Sequence, residues 1–215
     1  MAGRSCRTAE RFAGLPMAQA ALRFARARHA GQRREIDHAP FIDHAIEVGG
    51  LLRRDGQPDE VIAAGLLHDV LEKTATTAAE LQSRFGANIA RLVMSVSDDP
   101  SIVDRTSQKR ELRDRVSRAD ARTLAVFAAD KIAKVRELAL LPASQLDEPK
   151  NRAKLAHYRA SQKMLHRVAS ELALLDRLDA ELDRLAPTVT TRTRKARPRT
   201  KPQNNPRRKN RSFAR

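Results

Sequence analysis

The amino-acid sequence predicts an all-α protein, and three observations support that fold class. The 215-residue chain is rich in Ala, Leu and Arg, which are good helix formers. The alternation of β-branched and polar residues that is typical of strands is nearly absent. Glycine and proline are few, and they separate segments with helical apolar periodicity. A chain of this length buries a core without disulfides, so the single cysteine, Cys6, is interpreted as incidental.

Turn residues mark the expected helices in the first half of the chain. Gly31 ends the first helix, and Pro40 separates it from the second. The four residues from Thr77 to Glu80 match a capping box, in which two side chains satisfy free N–H groups at a helix start. Gly86 is expected to end the helix that begins there. The expected helices are 17–30, 41–55, 59–73, 77–86 and 87–97.

The helical pattern continues in the second half. Helices are expected at 106–118 and 120–141, and Pro142 ends the latter. A long amphipathic helix is expected over 149–185, with Pro187 ending it. Its apolar stripe consists of Leu165, Val168, Leu172, Leu175, Leu178, Leu182 and Leu185. The stripe has two interpretations: a helix packed on its own domain, or half of a dimerising helix pair, which leaves a homo-oligomer open.

Ionisable side chains interrupt the apolar pattern of the third expected helix. His68 and Asp69 follow an apolar run, and Glu72 lies one turn further on, sharing their face. Burying such groups without partners costs several kcal/mol, so they need partners from elsewhere. His44 lies one turn into the second helix, and Asp130 ends an apolar stretch of a later helix. Taken singly, each of these would be an ordinary core or surface residue.

Together, His44, His68, Asp69 and Asp130 supply two imidazoles and two carboxylates from three expected helices. Mixed nitrogen and oxygen ligation of this kind suits Mn²⁺, Fe²⁺ or Zn²⁺ rather than a thiolate-type structural zinc site. The four residues therefore predict a metal centre that can activate water.

A set of ordered motifs carries a resemblance to a known family. The motifs are ARHAGQRR (27–34), PFIDH (40–44), AAGLLHDVLE (63–72), TAAEL (77–81), RFG (84–86) and ADKI (129–132). In order and spacing they resemble the HD hydrolase domain of the RelA/SpoT family, especially the single-domain small alarmone hydrolases. The resemblance covers about 20–140 and implies an HD-domain helical bundle with, in this chain, a long C-terminal helix and a disordered basic tail.

The resemblance implies a ligand set and a reaction. His44, His68, Asp69 and Asp130 match the family's four metal ligands, usually of Mn²⁺. The family's reaction removes the 3′-pyrophosphate from guanosine tetra- or pentaphosphate and leaves GDP or GTP. A divalent ion makes this chemistry accessible because it lowers the pKa of a bound water molecule.

Further residues match supporting positions of the family. Glu72 matches the acidic residue that handles the attacking water. Arg33 and Arg34 match a basic pair near the nucleotide, usually Arg-Lys. His29 matches a family histidine that is interpreted as orienting the site from outside the ligand set.

Two positions depart from the family's pattern. Lys73 replaces the second acid of the family's catalytic Glu-Asp pair, and Lys134 replaces an Asn that usually holds the nucleotide. Three interpretations stay open for these cations. Each lysine extends to solvent without effect, each contacts additional phosphate, or Lys73 weakens proton handling and lowers turnover.

Positive charge is concentrated at the C-terminus. The formal net charge is +16 at pH 7, and residues 192–215 contain eleven Lys or Arg and no acid. Such a run attracts phosphate polymers without sequence preference. Its interpretations are a weak tether to the ribosome, RNA or DNA, and a solvated tail without a partner. The predicted segments are a disordered leader (1–15), an HD hydrolase domain (16–145), a helical extension (146–187) and a disordered basic tail (188–215).

No apolar run approaches the roughly 20 residues that span a bilayer. A lone cysteine fits a reducing compartment, so a cytoplasmic protein without membrane contact is expected. Three functions follow from the residues and the resemblance. They are hydrolysis of a pyrophosphorylated guanosine nucleotide, phosphohydrolysis of another nucleotide, and nucleotide or nucleic-acid binding by a catalytically weakened HD module.

Overall fold

The structure is a computed structural model that describes residues 10–190, with side chains as far as Leu185. This part of the chain is helical, and its only paired extended residues form an isolated antiparallel bridge between Arg33 and Pro40. The predicted all-α class is confirmed. The helices are α1 (Pro16–Arg28), α2 (Ile42–Arg54), α3 (Asp59–Leu67), α4 (Val70–Lys73), α5 (Ala78–Val96), α6 (Arg105–Val116), α7 (Ala121–Leu138), α8 (Ala143–Leu146), α9 (Pro149–Val168) and α10 (Leu174–Thr190).

Helix α3 lies at the centre of the bundle. All its residues from Val61 to Leu67 are buried, and a helix that is apolar all round has to be enclosed by others. It packs against α1, α2, α5 and α7. Asp59, at its start, accepts hydrogen bonds from the backbone N–H groups of Met17 (2.9 Å) and Ala18 (2.8 Å). Asp59 therefore satisfies free donors in the first turn of α1 and joins the two helices.

Helix α7 is the second buried helix, and it contacts α2, α3, α5, α9 and α10. Every residue from Thr123 to Ala133 is buried, although the span includes the charged side chains of Asp130 and Lys131. Several alanines in this span allow neighbouring helices to approach closely. Helix α7 therefore carries charge into the core beside α2 and α3.

Gly65 allows α2 and α3 to approach closely. A Cβ at this position would lie 2.3 Å from Leu52 Cδ1 and 3.3 Å from Val48 Cγ1, closer than atoms normally pack. Both neighbours are fully buried and have little room to move. Because His44 lies on α2 and His68 follows α3, this approach also helps to set the separation of the two imidazoles.

Helix α5 follows its prediction except for one half of the capping box. Thr77 caps the helix as expected, since its hydroxyl accepts from the Glu80 N–H at 3.1 Å. The Glu80 carboxylate pairs with Arg28 and Arg84, however, so the reciprocal half of the capping box does not form. Gly86 leaves the helical conformation (φ +84°, ψ 164°), which glycine tolerates, so the predicted helix end at this residue is confirmed and a kink joins the two helical halves of α5.

The predicted single helix over 149–185 is wrong, because the structure has two helices there. Ala169 leaves the helical conformation (φ −154°, ψ 51°) and ends α9, although no Gly or Pro marks the position. Helix α10 then continues to Thr190, so Pro187 does not end it. A proline in the last turn removes one backbone hydrogen bond, which a helix end tolerates better than a helix middle.

The apolar stripe packs on its own domain. Both α9 and α10 contact α7, and the two helices contact each other. The buried members of the stripe are Leu165, Leu175, Leu178, Leu182 and Leu185. Only Val168 is exposed by as much as 36%. The first interpretation, a segment packed on the domain, therefore accounts for the stripe within the described residues.

The predicted leader, 1–15, is wrong for its last residues. Phe12 is fully buried, and its ring lies 3.2 Å from the position that a Cβ on Gly49 would occupy. Residues 1–9 and 191–215 lie outside the described residues, so the disorder and the phosphate-polymer contacts expected there stay predictions. Within 10–190, no helix combines the length and apolarity needed to cross a membrane.

The Gly65→Ala variant tests the packing of α2 on α3. We expect it to lower the free energy of unfolding by about 1–3 kcal/mol, because overpacking against buried Leu52 outweighs the gain in helix propensity. Chemical denaturation measures the change, and Ser83→Ala on the exposed side of α5 is the control. Equal stability of Gly65→Ala and the parent protein would show that this contact relaxes freely.

Candidate metal centre

The His68-Asp69 pair lies where two helices meet. Helix α3 ends at Leu67 and α4 begins at Val70, and Asp69 between them has φ −96° and ψ −4°. The predicted continuous helix over 59–73 is therefore interrupted at these two residues. In this irregular turn His68 Nε2 lies 3.1 Å from Asp69 Oδ2, so the two side chains converge.

Two other helices bring side chains to the same point. His44 Nε2, from α2, lies 3.2 Å from His68 Nε2 and 3.6 Å from Asp69 Oδ2. Asp130 Oδ1, from α7, lies 3.2 Å from His44 Nε2 and 3.4 Å from His68 Nε2. All four residues are buried. The structure thus brings together the four side chains that the sequence singles out.

The donor set fits a divalent cation. One ligand atom each from His44, His68 and Asp130 lies within 4.8 Å of the others, so all three can reach one ion. Asp69 Oδ2 is buried and accepts no aligned hydrogen bond among the described residues, although His68 Nε2 lies 3.1 Å from it. An unpaired buried carboxylate oxygen is costly unless a cation or a hydrogen bond reaches it. Two imidazole nitrogens and two carboxylate oxygens would meet that need.

The electrostatics of the cluster favour positive charge. Burial lowers the pKa of His68, but the carboxylates of Asp69 and Asp130 raise it to about 10. Burial likewise lowers the pKa of His44, and its hydrogen bonds with Asp130 and Glu137 raise it above the ordinary value. Two buried carboxylates so close together therefore require a cation, either as protonated histidine or as a metal ion.

Hydrogen bonds from the outer ring nitrogens orient both imidazoles. His68 Nδ1 lies 2.7 Å from the Gly65 carbonyl oxygen, and His44 Nδ1 lies 2.8 Å from Glu137 Oε1. A carbonyl or carboxylate oxygen accepts, so Nδ1 is the donor in each ring. Each Nε2 can then offer its lone pair to an ion, as is usual for metal-binding histidines. Sequence reasoning missed Glu137, whose signal is its place two turns after Asp130 on the same face.

The basic pair has two different environments. Arg34 donates to Glu137 Oε1 at 3.2 Å and pairs with Asp37, and only 12% of its side chain is exposed. Arg33 is exposed and donates to the His38 carbonyl oxygen at 2.9 Å. Arg34 therefore supports the carboxylate that orients His44, whereas Arg33 lies on the open side of the loop.

Two lysines neutralise Asp130. Lys134 Nζ lies 2.9 Å from Asp130 Oδ1, and Lys131 Nζ lies 2.6 Å from Oδ2. Burial raises the pKa of Asp130, but the charges of Lys131 and Lys134 hold it well below its usual range. Lys131 also lies 4.2 Å from the ring centre of Phe127. Sequence reasoning missed Lys131, because a lysine inside an apolar helix gives no sign of its partner.

Glu72 and Lys73 lie on the rim of the centre. Both are exposed, and Glu72 Oε1 accepts from the Asp98 N–H at 2.8 Å. Lys73 Nζ lies 6.0 Å from the ring centre of Phe41. His29 is buried beside the centre and is not among the four converging residues.

The sequence matches the model of the HD domain over residues 21–157. The chain belongs to the HD domain family. The matched span contains every residue of the centre described above and ends within α9.

Curated relatives of this HD-domain chain are guanosine-3′,5′-bis(diphosphate) 3′-pyrophosphohydrolases. The one from Danio rerio is 37% identical over 118 residues, which is 54% of this chain and 65% of that protein. The one from Aquifex aeolicus is 34% identical over 122 residues, or 56% of this chain and 17% of that protein. The matched part thus spans less than two thirds of either relative.

Solved structures show the same fold. A metazoan SpoT orthologue described as hydrolysing ppGpp superposes with a TM-score of 0.67 at 24% identity, covering 81% of this chain and 96% of that one. A Listeria monocytogenes protein superposes with a TM-score of 0.60 at 22% identity, covering 71% and 97%. At these identities the likeness concerns the fold alone.

Adding Mn²⁺ to metal-free protein should raise its thermal midpoint. An ion that binds only the folded state stabilises it by about 2.7 kcal/mol at one hundred times its dissociation constant. In the Asp69→Asn variant, which removes the unpartnered carboxylate oxygen but keeps the shape, the increase should largely disappear. Differential scanning calorimetry measures both, and Asp176→Asn, at an exposed acid of α10, should respond like the parent. An unchanged increase in Asp69→Asn would place the ion elsewhere.

A histidine outside the centre makes stability depend on pH. His157 Nδ1 lies 2.5 Å from Arg113 Nη1, and its Nε2 is buried without a partner in the described residues. Burial, followed by the positive charges of Lys131, Lys109 and Arg113, lowers the pKa of His157 to about 2. In the unfolded chain His157 becomes protonated near pH 6.5, whereas in the folded protein it stays neutral. The free energy of unfolding therefore falls as the pH drops below that value.

The His157→Gln variant should therefore lose less stability than the parent protein between pH 7 and pH 5. Urea denaturation at the two pH values measures the difference. Ser83→Gln, at an exposed serine of α5, is the control and should keep the pH dependence of the parent. If His157→Gln is as acid-sensitive as the parent, another group causes the effect.

Proposed function

We propose that this chain is a metal-dependent phosphohydrolase that removes the 3′-pyrophosphate from guanosine tetra- or pentaphosphate. The observation that carries the proposal is the meeting of two imidazoles and two carboxylates in one buried cluster, where one carboxylate oxygen accepts no aligned hydrogen bond. Membership of the HD domain family and the activity named for the curated relatives support the substrate class.

His44, His68, Asp69 and Asp130 are proposed to hold the ion. Mn²⁺ is the proposed cofactor, because imidazole and carboxylate together suit it, and Fe²⁺ or Zn²⁺ would fit the same donors. When bound, such an ion lowers the pKa of water and polarises a phosphate oxygen. The protein's own contribution is to align both imidazoles, because Glu137 and the Gly65 carbonyl accept from Nδ1 and leave Nε2 on the side of the ion.

Glu72 is proposed to accept a proton from the attacking water. The Asp98 N–H holds one of its carboxylate oxygens at 2.8 Å, and this contact leaves the other oxygen for a water molecule. Its exposed position allows the proton to pass to solvent. The next residue is Lys73, where the family has a second acid. A lysine ammonium does not take up a proton, so Glu72 would act without an acidic partner.

Positive groups around the centre are proposed to bind the substrate's phosphates. Lys134 Nζ stands at the same Asp130 oxygen that faces the imidazoles, and Arg33 lies exposed on the loop before α2. Ammonium and guanidinium groups stabilise phosphate oxygens as negative charge develops on them. Arg34 is proposed to act indirectly, since both of its partners are carboxylates of the protein.

A second candidate is phosphohydrolysis of a different nucleotide. It is favoured by the two cations beside Asp130, because Lys134 takes the position of the family's nucleotide-binding Asn and adds a charge there. A ligand with phosphate placed near this ammonium would use that charge. The same assay with a nucleotide panel separates the two candidates.

The test is to incubate purified protein with Mn²⁺ and guanosine tetraphosphate and to measure pyrophosphate and GDP. We expect both products from the parent protein and none from Asp69→Asn. Release of orthophosphate from a simpler nucleotide, without cleavage of guanosine tetraphosphate, would favour the second candidate. Folded, metal-loaded protein that cleaves no nucleotide would contradict both.

The Lys134→Met variant should change substrate and metal affinity in opposite directions. Loss of a phosphate-binding cation should raise KM by about tenfold, which corresponds to roughly 1.4 kcal/mol. Loss of a cation that competes at Asp130 should tighten Mn²⁺ binding. Steady-state kinetics and metal titration measure the two effects, and Lys163→Met, at an exposed lysine of α9, is the control. Weaker binding of both metal and substrate would instead indicate local unfolding.

A further inference from the structure

His29 is a buried imidazole beside the metal centre whose hydrogen bonds are only half satisfied. It follows the end of α1 and is 3% exposed. Its Nδ1 lies 2.8 Å from Gln32 Oε1. Its Nε2, on the opposite edge of the ring, is buried and has no hydrogen-bond partner in the part of the chain that the structure describes.

The orientation of Gln32 determines which nitrogen of His29 carries the proton. Gln32 Nε2 lies 2.7 Å from the backbone carbonyl oxygen of Lys73. That oxygen only accepts, so the amide nitrogen must face it and the amide oxygen must face His29. The amide oxygen in turn only accepts, which makes His29 Nδ1 the donor. Neutral His29 therefore carries its lone pair on Nε2.

The surroundings keep His29 neutral and close to the reacting centre. Its ring packs against Phe41, with centroids 4.8 Å apart, and the Phe41 ring lies 5.9 Å from that of His44. Burial lowers the pKa of His29, and Asp69 lies near enough to raise it in part, while His68 and His44 lower it further. A neutral imidazole therefore lies next to the four converging residues.

An unsatisfied acceptor in this position needs a donor. Leaving a buried lone pair without one costs about 1–3 kcal/mol. When the proposed ligands hold an ion, Nε2 of His44 and of His68 faces that ion, their Nδ1 protons point outward and the carboxylate oxygens only accept, so these groups offer no proton to His29 Nε2. A water molecule in the centre offers two protons, and such a molecule is also the attacking group of the proposed hydrolysis.

We propose that His29 Nε2 accepts a hydrogen bond from the attacking water and so aims its oxygen at phosphorus, with Gln32 as the positioning residue that sets the tautomer of His29. The inference rests on the proposed function. It gives His29 a direct contact with the water, whereas Glu72 on the exposed rim takes the proton onward. It also links the tautomer to the carbonyl of Lys73, the residue after Glu72.

The tautomer is tested without any turnover. In ¹⁵N-labelled protein, metal-free or loaded with diamagnetic Zn²⁺, long-range ¹H–¹⁵N spectra should show His29 protonated at Nδ1 and bare at Nε2. In Gln32→Met, which removes the acceptor, the proton should move at least partly to Nε2. Protonation of Nε2 in the parent protein would overturn the proposal whatever the activity.

The kinetic test uses a substitution of His29 that keeps a polar group near Nδ1 and removes Nε2. Asn at position 29 places an amide near the position of Nδ1 and keeps the bond to Gln32, but it lacks the Nε2 acceptor. We expect His29→Asn to lower kcat for guanosine tetraphosphate by about 10- to 100-fold, the usual effect of removing a supporting group, with little change in KM or Mn²⁺ affinity. Unchanged kcat in active parent protein would overturn the inference and leave the proposed function intact.

Two variants of Gln32 separate tautomer control from loop anchoring. Both Gln32→Met and Gln32→Glu lose the donor to the Lys73 carbonyl, but only Glu keeps an acceptor for His29 Nδ1–H. We expect kcat to fall in Gln32→Met and to be largely retained in Gln32→Glu. Equal loss in both would mean that Gln32 only anchors the loop, and that result would overturn its assigned role. Absence of turnover in the parent protein would count against the proposed function instead.

Discussion

The constraint on which the rest of the structure depends is the burial of two carboxylates and two imidazoles at one point. Asp69 and Asp130 approach His44 and His68 within 3.1–3.6 Å, and all four side chains are buried. Burying this cluster costs free energy unless positive charge compensates the two carboxylates, because the low dielectric strengthens the repulsion between them. The surrounding protein supplies part of that charge and leaves a geometry suited to an ion.

The compensation has two sources with different consequences. Lys131 and Lys134 both reach Asp130, so this carboxylate is paired by the protein itself. Asp69 has one oxygen that accepts no aligned hydrogen bond, and its charge is balanced by the neighbouring imidazoles and, without direct contact, by Lys134. An incoming cation therefore gains most at Asp69 and competes with the lysines at Asp130. Lys134 is near enough to the centre to bind a phosphate beside a cation, as the proposed function requires.

Hydrogen-bond acceptors outside the centre decide what each imidazole offers inside it. The Gly65 carbonyl, the Glu137 carboxylate and the Gln32 amide oxygen each take the Nδ1 proton of a different histidine. When an ion occupies the centre, His44 and His68 are left with their Nε2 lone pairs for it, and neutral His29 carries its lone pair on Nε2. Gly65 has two roles, because its missing side chain also lets α2 and α3 approach. Gly65 therefore contributes both to the packing of α2 on α3 and to the orientation of the His68 ring.

The sequence by itself determined the helical class, the approximate helices and the four converging residues. Local periodicity and turn residues carry that information, and His44, His68, Asp69 and Asp130 stand out because polar groups interrupt apolar helices. The tertiary structure decided the break at His68-Asp69, the end of α9 at Ala169 and the continuation of α10 past Pro187. It also decided the roles of Glu137, Lys131 and Gln32. These roles depend on contacts between segments far apart in the chain. A local sequence pattern does not determine which donor and acceptor the fold brings together.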